Sequence, residues 1–244
     1  MLTRAVCAFS ALFISAAVFA GNEAQWAYTG EEGPENWAKL SPLYSACEGR
    51  NQSPVNLTDF TEADLPPIRF NYVKGAENIV NNGHTIQVNF DKRSSIEIDG
   101  RTFSLIQYHF HAPGENEING KSYPMEAHFV HSDKDGNLAV LALLFEEGAE
   151  NKSLTKVWEH LPEKTGDNHA LTDVVSANEL LPKSRDYYRY DGSLTTPPCS
   201  EGVRWLVFKE PVYASKKQID EFRHIMHHPN NRPIQPTNAR LILK

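Results

Sequence analysis

The sequence predicts a mainly β fold of the α+β class, in which a large, mostly antiparallel sheet carries a few short peripheral helices. Apolar and polar residues alternate over residues 85–90 and 95–99, as in strands that bury one face. The pairs Asp99-Gly100 and Asn119-Gly120 are turn signals. Residues 138–145 form an apolar run that suits a central strand. Strands therefore provide most of the core, and helices are left to the periphery.

Each element follows from local signals. We expect an irregular segment over residues 21–60 and then mostly strand from Ile68 through residues 102–111, followed by a strand around His128. Short helices are expected at 151–161 and 176–181, each ending before a proline. A strand at 203–208, a longer helix from Ser215 to about His227 and a strand-like tail at 241–243 complete the chain. The longest helix starts at a capping box formed by Ser215 and Gln218.

Charge and length restrict the class of protein. The 244 residues include 24 basic and 31 acidic side chains, with a formal net charge of −7. This balance argues against nucleic acid and against anionic membranes as partners. No repeat or Gly/Ser linker divides the chain, whose length suits one sizeable domain, although two small domains would also fit.

Residues 1–20 are predicted to be a secretory signal peptide. Arg4 precedes an apolar run that ends at Phe19, and small residues stand before Gly21 at the cleavage point. The run is short for a membrane span, and an uncleaved anchor is the alternative. The mature chain would be residues 21–244, periplasmic or secreted.

The mature chain would keep two cysteines, Cys47 and Cys199. In an exported protein, an even pair far apart in the sequence predicts a disulfide. Two free buried thiols are the alternative.

The segment QYHFH (residues 107–111) carries the clearest chemistry. In a strand, His109 and His111 project from one face with Gln107, while the aromatic residues point into an apolar layer. Two imidazoles on a rigid strand suit a metal site, although a lone His-x-His motif also occurs as an exposed pair without a metal.

A second strand candidate brings Glu126 and His128 to one face. If the two strands pair, three imidazoles converge and one coordination position stays open, as in a catalytic zinc site. Metal-bound histidines usually donate their other N–H to an oxygen, so we expect Glu126 to hold His128 and Gln107 to hold His109. The alternative for Glu126 is a surface salt bridge.

The segment YDGSLTTPPC (residues 190–199) is a third polar motif, which by itself fits a rigid loop or a proline-rich surface turn. Together with QYHFH, EAHFVH (126–131), CEGRNQSPVNL (47–57), NNGH (81–84) and the C-terminal NRPxQP, it resembles the α-class carbonic anhydrases of the bacterial, exported type. The motifs occur in family order over nearly the whole mature chain. The resemblance implies one catalytic domain over residues 21–244, around a twisted, mostly antiparallel sheet with zinc at the bottom of a cleft.

The resemblance also implies roles for individual residues. His109, His111 and His128 match the zinc ligands, and hydroxide on the zinc would attack CO₂. The hydroxyl of Thr195 would accept the proton of that hydroxide and donate to the buried carboxylate of Glu115. The remaining matches are Val130, Val140, Leu194, Val203 and Trp205 as an apolar wall for CO₂, Thr196 as a bicarbonate contact, Tyr28 and Gln87 as residues that order water, and Cys47 with Cys199 as the disulfide of exported members.

Proton release needs a relay in such an enzyme. A water with a pKa near 7 would lose its proton to bulk water at only about 10³ s⁻¹, whereas the family turns over at about 10⁶ s⁻¹. Histidine titrates in the required range, and His84 matches the family's proton shuttle. The other histidines, including His131 on the opposite strand face, are expected to be structural or exposed.

One departure from the family concerns Asn116. Many relatives have Ser-Glu-His where this chain has Gly114-Glu115-Asn116, and we expect the amide of Asn116 to replace the hydrogen bonds of the histidine.

Two other functions are compatible with parts of the sequence. One is a non-catalytic carbonic-anhydrase-like binding module; such relatives typically lack a zinc histidine, but all three are present here. The other is a zinc hydrolase acting on esters, which would need a larger pocket. The expected partners are Zn²⁺ and a small substrate, CO₂ or bicarbonate, and a homodimer is a possible assembly.

Overall fold

The computed structural model describes residues 24–171 and 175–244. The predicted signal peptide, residues 1–20, and its cleavage point before Gly21 lie outside the described residues. Among the residues that are described, no helix is long and apolar enough to cross a membrane.

An 11-stranded sheet organises the fold, and a separate pair of strands lies beside it. The strands are β1 (Asn56–Leu57), β2 (Arg69–Asn71), β3 (Asn78–Asn81), β4 (Ile86–Asn89), β5 (Ser95–Ile98), β6 (Arg101–His111), β7 (Glu117–Ile118), β8 (Met125–Ser132), β9 (Leu138–Glu147), β10 (Asn168–Ala170), β11 (Tyr187–Ser193), β12 (Glu201–Phe208) and β13 (Val212–Ala214).

The large sheet runs in the order β10-β3-β4-β6-β8-β9-β12-β11, with β5 also beside β6, β2 beside β5 and β13 beside β9. Only the pairs that β9 forms with β12 and β13 are parallel, whereas the others in this sheet are antiparallel. The predicted class, a large and mostly antiparallel sheet, is confirmed.

The hairpin between β5 and β6 turns at Asp99-Gly100, where both residues have positive φ angles, 52° and 69°. A two-residue turn of this kind needs positive φ at both positions, which explains the choice of Asp-Gly. Asn119-Gly120 has the same backbone form, with φ of 51° and 75°. It follows β7, however, which pairs in parallel with β1 and not with β8.

Four α-helices are present among the described residues: α1 (Trp37–Leu40), α2 (Lys152–Trp158), α3 (Ala177–Leu180) and α4 (Lys216–Met226). The capping box at the start of α4 is present, and Gln218 also donates to the carbonyl of Asn151, the N-cap of α2, at 2.9 Å. Helix α4 ends at His227, whose φ is 60°.

The two faces of the sheet are covered differently. Tyr108, Phe110 and Phe129 pack with helix residues such as Leu154 and Phe222 in the larger core. Alternate residues of the same strands face a smaller apolar cluster on the opposite side, which includes Val130 and Trp205. The imidazoles predicted to bind a metal project from this second face.

Some strands differ from the expectation. Residues 187–193 form β11, although we expected the polar run from residue 190 to be a loop. This segment pairs along its length with β12, and pairing to a central strand outweighs the low β propensity of Asp-Gly-Ser. Strands β7, β10 and β13 were also not predicted, and β1 lies in the segment that we expected to be irregular.

The predicted disulfide is present between Cys47 and Cys199, which are 152 residues apart. Both cysteines lie in a third apolar cluster with Tyr28, Trp37 and Tyr44. The bridge joins the irregular N-terminal segment to the residues that follow β11.

Candidate active site

The three predicted imidazoles converge at the centre of the sheet. Strands β6 and β8 are antiparallel neighbours with His109 directly opposite His128, and His111 lies two residues further on the same face. The ring centroids are 4.6 to 5.3 Å apart. One nitrogen from each ring lies within 4.8 Å of the others, so one metal ion could contact all three.

Two of the rings are oriented by neighbours on their own strands. Nδ1 of His109 is 2.8 Å from Oε1 of Gln107, and Nε2 of His128 is 2.8 Å from Oε1 of Glu126. Because these oxygens accept, the ring nitrogens donate, and the opposite nitrogens keep their lone pairs for a metal.

The third ring is oriented by a distant residue. Nδ1 of His111 donates to the backbone carbonyl of Asn230 at 2.6 Å. Its Nε2 is buried and has no hydrogen-bond partner among the described residues. A buried nitrogen without a partner is costly, and a metal ion would satisfy it. Three imidazoles in this orientation fit Zn²⁺.

The electrostatics favour neutral rings. Burial lowers the pKa of His109, His111 and His128, and the positive charge of neighbouring rings lowers those of His109 and His128 further. Neutral imidazole is the form that binds a metal.

Glu126 is fully buried and accepts four hydrogen bonds. Its Oε2 accepts from the backbone amides of Glu115 and Asn116 at 2.6 and 2.7 Å, and Oε1 accepts from Nδ2 of Asn116 at 2.7 Å as well as from His128. Four donors fit an ionised carboxylate, which only accepts. Asn116 also accepts from the Tyr190 hydroxyl at 3.1 Å, so its amide links two parts of the site.

Glu115 and Thr195 are buried beside the imidazoles. Oε1 of Glu115 accepts from the backbone amide of Arg232 at 2.7 Å, whereas Oε2 has no partner at hydrogen-bond distance among the described residues. Burial raises the pKa of the Glu115 carboxyl well above its usual value, while the Arg232 amide and the Thr195 hydroxyl oppose that rise. Thr195 is therefore close enough to interact with the carboxyl.

Comparisons with known proteins identify the family of the chain. A family model for eukaryotic-type carbonic anhydrase matches residues 32–244. A carbonic anhydrase from Pectobacterium atrosepticum is 48% identical over 236 residues, which cover 96% of this chain and 97% of that protein. One from Neisseria gonorrhoeae is 45% identical over 226 residues, 92% of this chain and 89% of that protein. The α-carbonic anhydrase of Thermovibrio ammonificans, solved with the inhibitor sulfanilamide, has a TM-score of 0.89 and 53% identity, covering 91% of this chain and 100% of that one.

The chain belongs to the α-class carbonic anhydrase family.

Residues that the resemblance assigns to the apolar wall lie together in this structure. Val130, Val140, Val203 and Trp205 are buried in one apolar cluster, and Leu194 packs against it. The Trp205 ring is 4.8 Å from that of His128, so the cluster borders the imidazoles.

The residues assigned to substrate contact and water order lie around this centre. Thr196 follows Thr195 and is half-buried. Gln87 is half-buried on β4 opposite His109, and its amide donates to Oδ1 of Asn89 at 2.6 Å. Tyr28 is buried, and its ring centroid is 6.5 Å from that of His84.

His84 lies in the turn between β3 and β4 and is half-buried. Its ring stacks on Trp26 with a centroid distance of 3.8 Å. Burial lowers its pKa, and the charge of His228 lowers it further.

Two members of the site were not predicted from the sequence, Asn230 and Arg232. Asn230 bonds His111 through its carbonyl and the backbone of Ala112 through its side chain, at 2.8 Å. Arg232 supports Glu115. The only sequence signal was the NRPxQP motif, which includes Arg232 but carries no local pattern linking it to the histidines.

Proposed function

We propose that the chain is a zinc-dependent carbonic anhydrase that catalyses the reversible hydration of CO₂ to bicarbonate and a proton. The observation that carries the proposal is the convergence of three buried or half-buried imidazoles, one of which has an unpartnered nitrogen. The relatives named carbonic anhydrase support the choice of reaction.

His109, His111 and His128 would hold the metal. When bound, Zn²⁺ acts as a Lewis acid and lowers the pKa of a water to about 7, a value known for carbonic anhydrases as a class. Gln107, Glu126 and the carbonyl of Asn230 keep the rings turned toward one point.

Thr195 and Glu115 would orient the attacking oxygen. One oxygen of the Glu115 carboxylate is taken by the amide of Arg232, and the other is free to accept from the Thr195 hydroxyl. A hydroxyl has one proton to donate, so Thr195 can then only accept from the nucleophile. The lone pair of that oxygen is thereby directed toward carbon.

The apolar wall would hold CO₂, which has no charge and no hydrogen-bond donor. Val140, Val203 and Trp205 are each at most 2% exposed, and they cover the space beside His128 without offering a polar group. Thr196, next to Thr195, would contact bicarbonate. The wall favours a small apolar substrate over an ester.

His84 would accept the proton that the reaction releases. A half-buried imidazole can accept a proton from ordered water and donate it to buffer. Tyr28 and Gln87 would order the water between the centre and His84.

The test compares the wild type with His109→Ala by stopped-flow CO₂ hydration, together with metal analysis. We expect His109→Ala to lose zinc and activity, and a chelator to remove wild-type activity that added zinc restores. His169→Ala, which removes an exposed histidine on β10, is the matched control.

Hydration activity in the metal-free protein would contradict the proposal. Stoichiometric zinc without CO₂ hydration activity would favour the non-catalytic binding module, which no observation on the described residues supports.

Export to the periplasm or the medium belongs to the same proposal. The disulfide between Cys47 and Cys199 supports it, because such bridges persist in oxidising compartments. N-terminal sequencing of the exported protein should find Gly21 first, and size-exclusion chromatography would decide whether it is a homodimer.

A further inference from the structure

The turn that carries His84 is rigid, and one face of the ring is covered. Oδ1 of Asn82 accepts from the backbone amides of His84 and Thr85, both at 2.9 Å, and Asn230 donates to the His84 carbonyl at 3.0 Å. The ring lies nearly parallel to Trp26, at 11°. Buffer molecules can therefore reach His84 from a restricted range of directions.

A second imidazole, that of His228, is exposed and lies near Tyr28. It follows His227, whose left-handed backbone ends α4. Nδ1 of His228 is 3.0 Å from the carbonyl of Pro229 and must donate to it, since a carbonyl only accepts. The neutral ring therefore presents the lone pair of Nε2, where it can gain and lose a proton without breaking this hydrogen bond.

The imidazoles of His84 and His228 both lie near the ring of Tyr28. The Tyr28 ring centroid is 6.2 Å from that of His228 and 6.5 Å from that of His84. Asn230 fixes the spacing, because it lies two residues after His228 and donates to the His84 carbonyl. The charge on His228 also lowers the pKa of His84, after the effect of burial.

We propose that His228 is a second proton-relay residue, which takes the proton from His84 and delivers it to buffer at the surface. This rests on the proposed function. In the first step, the His84 imidazolium loses an N–H proton, through water, to Nε2 of His228. In the second, the His228 imidazolium gives that proton to a buffer base, so both rings return to the neutral form and no electrons are transferred.

The rate of proton loss explains why a second acceptor helps. An imidazolium with a pKa near 6.5 releases its proton to water at only about 3 × 10³ s⁻¹, far below the turnover of about 10⁶ s⁻¹ known for the family. Buffer must therefore collect the proton, and an exposed ring offers it a larger target than a stacked, half-buried one. The groups around His228 include His227 and Arg223, which line the same surface pocket.

The experiment measures CO₂ hydration by wild type, His228→Ala, His84→Ala and the double variant at low and high buffer concentration. At low buffer, kcat of His228→Ala should fall about threefold or more. Its kcat/KM should stay unchanged, because kcat/KM covers attack on CO₂ but not the later release of the proton. High buffer should abolish the difference. In the His84→Ala background, loss of His228 should have no further effect.

His224→Ala is the matched control, because it removes an exposed histidine of α4 whose ring contacts His227 and not Tyr28 or His84. An independent readout is the NMR titration of His84, whose pKa should rise in His228→Ala, with or without catalysis.

The outcomes separate the two proposals. An active wild type whose kcat at low buffer is unaffected by His228→Ala would overturn the relay and leave the proposed function standing. Additive losses in the double variant would also overturn it, because they mean two separate routes. A zinc-loaded wild type without CO₂ hydration would overturn both.

Discussion

His131 should make the stability of this protein depend on pH. The side chain is fully buried on β8, on the strand face opposite His128. Its Nε2 is 2.7 Å from the Tyr72 hydroxyl, and its Nδ1 is 3.3 Å from the carbonyl of Ala139. Burial lowers the pKa of His131 to about 4, although backbone carbonyls oppose the shift.

The direction in which stability changes with pH follows from proton uptake by His131. Below its ordinary pKa of about 6.5, the ring binds a proton in the unfolded chain, whereas in the folded protein it binds one only near pH 4. Stability is therefore lost as the pH falls through this window. The contribution of His131 to the free energy of unfolding drops by about 2 kcal/mol at pH 5 and about 3 kcal/mol at pH 4, relative to pH 7.5.

The test compares wild type with His131→Gln, which cannot titrate but can still bond both Tyr72 and Ala139. Urea unfolding at pH 7.5, 6 and 5 gives the free energy of each protein. The free energy of unfolding of His131→Gln minus that of the wild type should increase by about 2 kcal/mol between pH 7.5 and pH 5. Exposed His169 supplies the control, since His169→Gln should follow the wild type. Parallel curves for wild type and His131→Gln would refute the reasoning.

Other perturbations test other parts of the site. Glu126→Ala should weaken zinc binding about 10- to 100-fold, because the His128 ring loses the carboxylate that orients it; competition with a chromogenic chelator measures this, and unchanged affinity would contradict it. Val140→Phe should lower kcat/KM for CO₂ by more than about tenfold at unchanged zinc content, and full activity would remove Val140 from the substrate wall. Replacing Cys47 and Cys199 by serine should lower the free energy of unfolding by about 2–5 kcal/mol in urea, and an unaltered midpoint would argue against a stabilising bridge.

The parts of the fold that follow local rules could be predicted from the sequence. The turn at Asp99-Gly100 requires positive φ at two successive residues, and few residue pairs other than Asp-Gly provide it. The capping box of α4 is equally local. In contrast, β11 (Tyr187–Ser193) becomes a strand because β12 lies beside it, and the parallel pairing of β9 with β12 depends on packing over the whole sheet. Neither feature can be predicted from a short segment of the sequence.

The site shows the same division. Alternation along β6 and β8 places Gln107 with His109 and Glu126 with His128, and those hydrogen bonds are present in the structure. The partner of His111 could not be found in this way, because Asn230 is 119 residues away and uses its backbone carbonyl. A carbonyl group belongs to every residue, so no residue type marks it.

Two buried polar atoms without a partner lie side by side in the site. Nε2 of His111 and Oε2 of Glu115 are both buried without a hydrogen-bond partner among the described residues. Each is costly to bury, and a core formed for stability alone would replace such groups with apolar side chains of similar volume. The first is a lone pair aimed at a point shared with two other imidazoles, and the second is an acceptor beside Thr195. In the function that we propose, a metal ion would complete His111 and the Thr195 hydroxyl would complete Glu115, so both unpartnered atoms would be satisfied at the point where the reaction takes place.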